Sequence, residues 1–155
     1  MKNFNFLSAI VFVCGLFVVQ DGFSQSMYWQ DDKVIATQND QKGFKTSTST
    51  FQLKNNHLLE VKNGQLREDL RSGYYTKEND KINYYDDNET YIGYYIPSEG
   101  HFFAVSKGGG KEALAAYTKD GNIYNLNDTP VCKYDKEFDP IFIGFILFFF
   151  LGYTA

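Results

Sequence analysis

The sequence predicts an all-β protein in which short antiparallel hairpin repeats, about five of them, share one core in a closed, flower- or propeller-like arrangement. Three observations carry this. Aromatic residues make up 18% of the 155-residue chain, and 12 of its residues are Tyr; flat rings pack well on pleated strands. Asn-Gly and Asp-Gly, which tolerate the positive φ of tight hairpin turns, occur at Asn63-Gly64 and Asp120-Gly121. Finally, the body of the chain aligns with itself.

Four stretches carry that self-similarity: NGQLREDLRSGYYTK at 63–77, NDKINYYDDNETYIGYYIP at 79–97, EGHFFAVSKGGGKEALAAYTK at 99–119 and DGNIYNLNDTPVCKY at 120–134. In each, a polar turn leads into a β-favouring residue (Leu66, Ile82, Phe102 or Ile123). A second polar turn follows, then a small or apolar residue and a Tyr. The turn positions Gly64, Lys81, Gly100 and Gly121 lie 17, 19 and 21 residues apart, so extra residues such as Gly108–Gly110 are absorbed in a loop. A fifth, looser unit runs from Asp31 to Asn56. Short hairpins cannot bury a hydrophobic face singly, so they must close or stack. KEALAA at 111–116 contains helix formers but is too short to be a stable helix alone.

TYIGYYIP at 90–97 and DGNIYN at 120–125 resemble the repeated "DG-x-I … IG-x-I" units of the five-fold β-flower proteins, a family of small exported bacterial proteins. The Phe-rich FFFL at 148–151 is similar to the end of some members. The resemblance implies a β-repeat domain and brings no catalytic residues with it.

Both ends differ from the body. Residues 1–25 have the anatomy of a signal peptide: Lys2, an apolar run from about Phe6 to Val19, and a polar close with Gly22, Ser24 and Gln25. Cleavage is expected near Gln25, and Cys14, preceded by Phe12 and Val13, does not suit lipidation. The β-repeat domain is expected over 26–136. The segment 137–155 contains 11 apolar or Gly residues from Ile141 to Leu151, after Pro140. As a helix these would span about 17 Å, against about 30 Å of bilayer hydrocarbon. A strand buried on both faces is the favoured reading, with membrane or lipid contact and a protein interface as alternatives.

Composition narrows function mainly by exclusion. Lys2 and Asp21 cancel in the leader, so the body keeps the formal net charge of −4, a poor basis for binding nucleic acid. His57 and His101 stand 44 residues apart with no Cys nearby, which is not metal-ligand spacing. The acidic groups Asp31-Asp32, Asp86-Asp87-Glu89 and Asp135-Glu137-Asp139 read as turn formers. The triple glycine lacks a phosphate-loop pattern, and KTSTSTF at 45–51 lacks a nucleophile elbow. Cys132, alone in the body, reads as a buried small hydrophobe.

No catalytic residues, metal site or cofactor are therefore expected. The sequence reads as a non-enzymatic, exported structural or interaction module of the bacterial cell envelope, located in the periplasm, the outer membrane or outside the cell. Its partner would be an envelope protein or a glycan, with membrane contact through Ile141 to Leu151 as a further possibility. The alternative is a carbohydrate-binding module. The tyrosine pairs 74/75, 84/85 and 94/95 should each send one ring inward and one outward, and Tyr74, Tyr84 and Tyr94 are the candidate outward ligand-binding residues.

Overall fold

The computed structural model describes residues 25–29, 34–39, 42–106 and 110–152. The expected leader, Gln25 aside, and the Asp31-Asp32 pair lie outside these residues. Twelve strands form the body: β1 (Ser26–Trp29), β2 (Val34–Asn39), β3 (Gly43–Thr46), β4 (Thr50–Lys54), β5 (His57–Lys62), β6 (Gln65–Glu78), β7 (Lys81–Tyr85), β8 (Tyr91–Ile96), β9 (His101–Val105), β10 (Glu112–Lys119), β11 (Asn122–Asn125) and β12 (Pro130–Tyr134). Each pairs antiparallel with its sequence neighbours, and β1 pairs with β12, which closes the sheet into a barrel without free edges.

The turns follow the local chemistry. Asn55-Asn56, Asn63-Gly64 and Asp120-Gly121 all take positive φ, as two-residue hairpin loops require. All of KEALAA but Lys111 belongs to β10, where Ala113 and Leu114 are in register with Ala104 and Phe103. Ladder pairing overrides a helix propensity that six residues cannot express.

Five of the six successive hairpins share one register pattern. A large inward residue stands opposite a small one: Met27 faces Ala36, Leu58 faces Gly73, Tyr84 faces Gly93, Phe102 faces Ala116 and Ile123 faces Cys132. Beside each pair the ladder slips by an extra residue, respectively Ile35, Ser72, Ile92, Ala115 and Val131. Such bulges bend a strand and sharpen its twist, which helps a sheet of short strands to close. The hairpin β3–β4 lacks the slip and sets two large rings opposite each other, Phe44 and Phe51.

The small residues leave room for the end of the chain. Asp139 caps a helix, α1 (Pro140–Phe145), by accepting a hydrogen bond from the Ile141 N–H at 2.8 Å, with Pro140 in the first turn where its missing N–H costs nothing. A π-helical continuation, Ile146–Phe150, follows. Phe142, Ile143, Phe145, Ile146, Leu147 and Phe148 are all buried with the inward barrel residues in one core.

This corrects the favoured expectation of a terminal strand. The lumen is already ringed by paired strands, and only a rod that satisfies its own backbone can be buried there without orphaned N–H and C=O groups. Among the described residues no helix is long and apolar enough to cross a membrane.

Tyr84 joins plug and wall. Its hydroxyl donates to the backbone carbonyls of Pro140 and Ile141, at 3.3 and 3.1 Å. Its ring lies 5.2 Å from Phe145 and 5.3 Å from Phe148, centroid to centroid. Close approach explains three glycines here: a Cβ on Gly144 would stand 2.1 Å from the Tyr84 ring, while one on Gly93 or Gly73 would first meet a neighbouring strand's backbone carbonyl, Phe103 at 2.2 Å or Tyr85 at 2.3 Å, and then Phe148 at 3.1 Å or Phe149 at 2.7 Å.

Candidate functional site

The barrel exterior, rather than its lumen, carries the remaining aromatic residues. Antiparallel register decides which ring of each tyrosine pair reaches it. Tyr74 stands opposite Tyr85, and Tyr75 opposite Tyr84; cross-strand partners share a face. Tyr74 and Tyr85 therefore point out, while Tyr75 and Tyr84 point toward the plug, where Tyr75 meets Phe145. On β8, Tyr94 is outward and Tyr95 is buried.

Two of the three candidate residues, Tyr74 and Tyr94, thus lie on the outer face, and Tyr84 does not: it is fully buried. The reason is directional. β7 runs opposite to β6 and β8, so the first member of its pair takes the phase of their second members.

The outer rings form ladders in which some pairs are stacked and others tilted. His57, Tyr74, Tyr85 and Tyr91 follow one another across β5 to β8 with centroids 5.2, 4.6 and 5.4 Å apart. The Tyr74–Tyr85 planes are within 5° of parallel. A second row pairs Tyr94 with Phe103 at 4.7 Å, and the Lys81 ammonium sits 3.9 Å from the centre of the Tyr94 ring. Leu114, opposite Phe103 and exposed, extends this row onto β10. A third stack, Tyr117 on Tyr124, occupies β10 and β11. Tyr91 and Phe103 were missed by sequence reasoning, and Tyr85 was named only as the inward partner of Tyr84; the cross-strand register that selects them is not a property of any one segment.

Carboxylates border the first two rows. The Tyr91 hydroxyl donates to Glu112 at 3.3 Å. Partial burial, then Glu112, raises the phenol pKa of both Tyr91 and Tyr94. At Tyr74, desolvation is the main cause of a raised pKa, followed by Glu89. Asp86 organises the β7–β8 turn by accepting from the N–H groups of Asn88 and Thr90 at 2.9 and 2.8 Å. Asn125 does the same in the β11–β12 turn for Asn127 and Thr129, both at 3.0 Å. Asp135 accepts from the Ser26 N–H at 2.7 Å. Asp86 thus acts as the turn former expected of it, whereas the Asp135 side chain ties the end of β12 to the start of β1.

Other chemistry is sparse. His57 Nδ1 is 2.9 Å from the Asn55 carbonyl, and His101 Nδ1 is 3.4 Å from Glu99. Among the described residues no three His, Cys, Asp or Glu side chains are grouped to hold a metal. Cys132 is buried, and desolvation pushes its thiol up to about 12. A shallow groove of about 320 Å³ lies between Thr46–Thr50 and the β5–β6 turn, lined by hydroxyls with Lys45, Glu60 and Lys62. Compared with known proteins, the chain matches no family model, no curated protein and no solved structure.

Proposed function

We propose that the protein is a non-enzymatic, exported structural or interaction module of the bacterial cell envelope, engaging its partner through the outer aromatic face. One observation carries this reading: the lumen, where barrels of this kind hold small ligands, is filled by the chain's own helical plug. What remains for recognition is exterior surface, and its distinctive part is the aromatic band. The chain's assignment to the five-fold β-flower proteins rests on the motifs at 90–97 and 120–125; the barrel itself has six hairpins, five of them bulged.

The carbohydrate-binding alternative draws less support. Sugar stacking needs a free ring face, and at the two outward candidates both faces have neighbours: Tyr74 lies between His57 and Tyr85, and Tyr94 between Phe103 and Lys81. Tyr84 has no exposed face at all.

Cell fractionation combined with affinity capture tests the proposal. Wild-type protein should be found in the envelope or medium, cleaved near Gln25, and should retain envelope components that a Tyr85→Ala/Phe103→Ala variant loses. An intact leader on a cytosolic protein, or identical capture by the variant, would refute it. Glycan binding lost on Tyr94→Ala would instead favour the carbohydrate reading.

A further inference from the structure

The outer aromatic face has a consistent electrostatic character. Where β7, β8, β9 and β10 come together, the outer rings of Tyr85, Tyr91, Tyr94 and Phe103 share a face with Glu112, which accepts from the Tyr91 hydroxyl, and with the 86–90 turn that joins Tyr85 to Tyr91 and carries Asp87 and Glu89. Those three carboxylates are exposed, and among the described residues none is within ion-pair distance of a Lys, Arg or His. π-faces and carboxylates attract the same thing, a cation, by quadrupole and by charge respectively. The face already holds one: the Lys81 ammonium over Tyr94. Leu114, among the most exposed large apolar residues, adds a site for an aliphatic stem.

We propose that this face docks a Lys- and Arg-bearing segment of a partner protein, cationic heads meeting Asp87, Glu89 and Glu112 and their stems lying on the ring edges and Leu114. Charge complementarity selects this occupant: the body has an excess of acid, and the exposed carboxylates would repel an anionic one. The inference rests on the interaction-module reading above and gives that partner its chemistry.

The test measures binding of the full-length mature protein to a synthetic peptide alternating Lys, Arg and Gly, with a Glu-substituted peptide as control, at low and high salt. A D87N/E89Q/E112Q variant changes charge while keeping side-chain shape at exposed positions, and Leu114→Ser probes the apolar part. Binding of the cationic peptide only, weakened by salt, about tenfold weaker in the triple variant and accompanied by an unchanged melting temperature, supports the proposal. Equal binding of both peptides, no binding, or binding indifferent to the triple variant overturns it. Salt-sensitive self-association abolished by the same variant also overturns it, in favour of a second copy of the chain. Failure of the cationic peptide while envelope capture still depends on Tyr85 and Phe103 would sink this inference alone; loss of both would sink the interaction reading with it.

Discussion

Gly144→Ala separates helix propensity from packing, because the two forecast opposite signs. In an exposed helix Ala is worth about 1 kcal/mol over Gly. In α1 the added Cβ would lie 2.1 Å from both the Tyr84 Cζ and its hydroxyl oxygen. Neither side can yield easily, since Tyr84 is fully buried, Gly144 is buried, and the ring is held against Phe145 and Phe148. Overfilling such a site costs about 1–3 kcal/mol, and displacing the hydroxyl from the Pro140 and Ile141 carbonyls forfeits about 1 more. After the propensity gain, a net loss of about 1–3 kcal/mol remains. Urea unfolding followed by far-UV circular dichroism should show a lowered midpoint with unchanged slope. Tyr84→Phe should not restore stability, because the ring carbons themselves obstruct the Cβ, whereas Tyr84→Leu in the same background should recover part of it. A Gly144→Ala protein as stable as wild type would refute the close approach of plug and wall.

Deleting 140–155 removes six buried apolar side chains, each worth about 2–3 kcal/mol. The sum matches or exceeds the 5–15 kcal/mol typical of a whole domain, so the truncated chain should show no cooperative thermal transition; a sharp melt by calorimetry would contradict this. Ala36→Leu and Ala116→Leu place bulk beside the plug and should each cost about 1–3 kcal/mol, measurable as a lower urea midpoint. Alkali should unfold the protein: burial raises the Tyr84 phenol well above 10 and takes Tyr95 and Cys132 to about 12. With folded pKa values above the unfolded ones, the associated stability is complete below about pH 9 and is lost as pH climbs toward 12, which tyrosinate absorbance against pH will follow. The Cys132 thiol should resist thiol reagents at neutral pH until denaturant is added; prompt labelling of the native protein would argue against its burial.

The repeat grammar was legible because it has a structural cause. Gly73, Gly93, Ala116 and Cys132 are each the small inward residue opposite a large one, and the residue before each is the bulge; a Tyr follows directly in the first three, whereas Lys133 stands between Cys132 and Tyr134. Cys132 as a small hydrophobe belongs to this series. The stretches 79–97, 99–119 and 120–134 coincide with the hairpins β7–β8, β9–β10 and β11–β12, whereas 63–77 covers only β6 of its hairpin and 31–56 spans β2 to β4 rather than one repeat. Three things were not legible. The phase of Tyr84 depends on strand direction and register. The helical state of 140–150 depends on the lumen being ringed already by strands, since a short apolar run of Phe and Ile is compatible with either state. The outer ladders arise from pairs such as Tyr74–Tyr85 and Tyr94–Phe103, which exist only once neighbouring strands are aligned.

The order of elements along the chain sets a condition on how the barrel can assemble. The plug follows the twelfth strand, and β12 itself supplies the closing seam with β1, so the interior contacts formed by Phe142 to Phe148 span much of the body's length. Hairpins can form locally and early, but a ring closed before the plug arrives would have to reopen to admit it. Such long-range contacts demand loop closure before they repay it, and they slow folding. A nascent chain lacking its last turns therefore has hairpins but no core. For a protein exported as proposed here, that delay is useful: the chain stays unfolded enough to be threaded across a membrane and becomes a stable barrel only when its final segment is through.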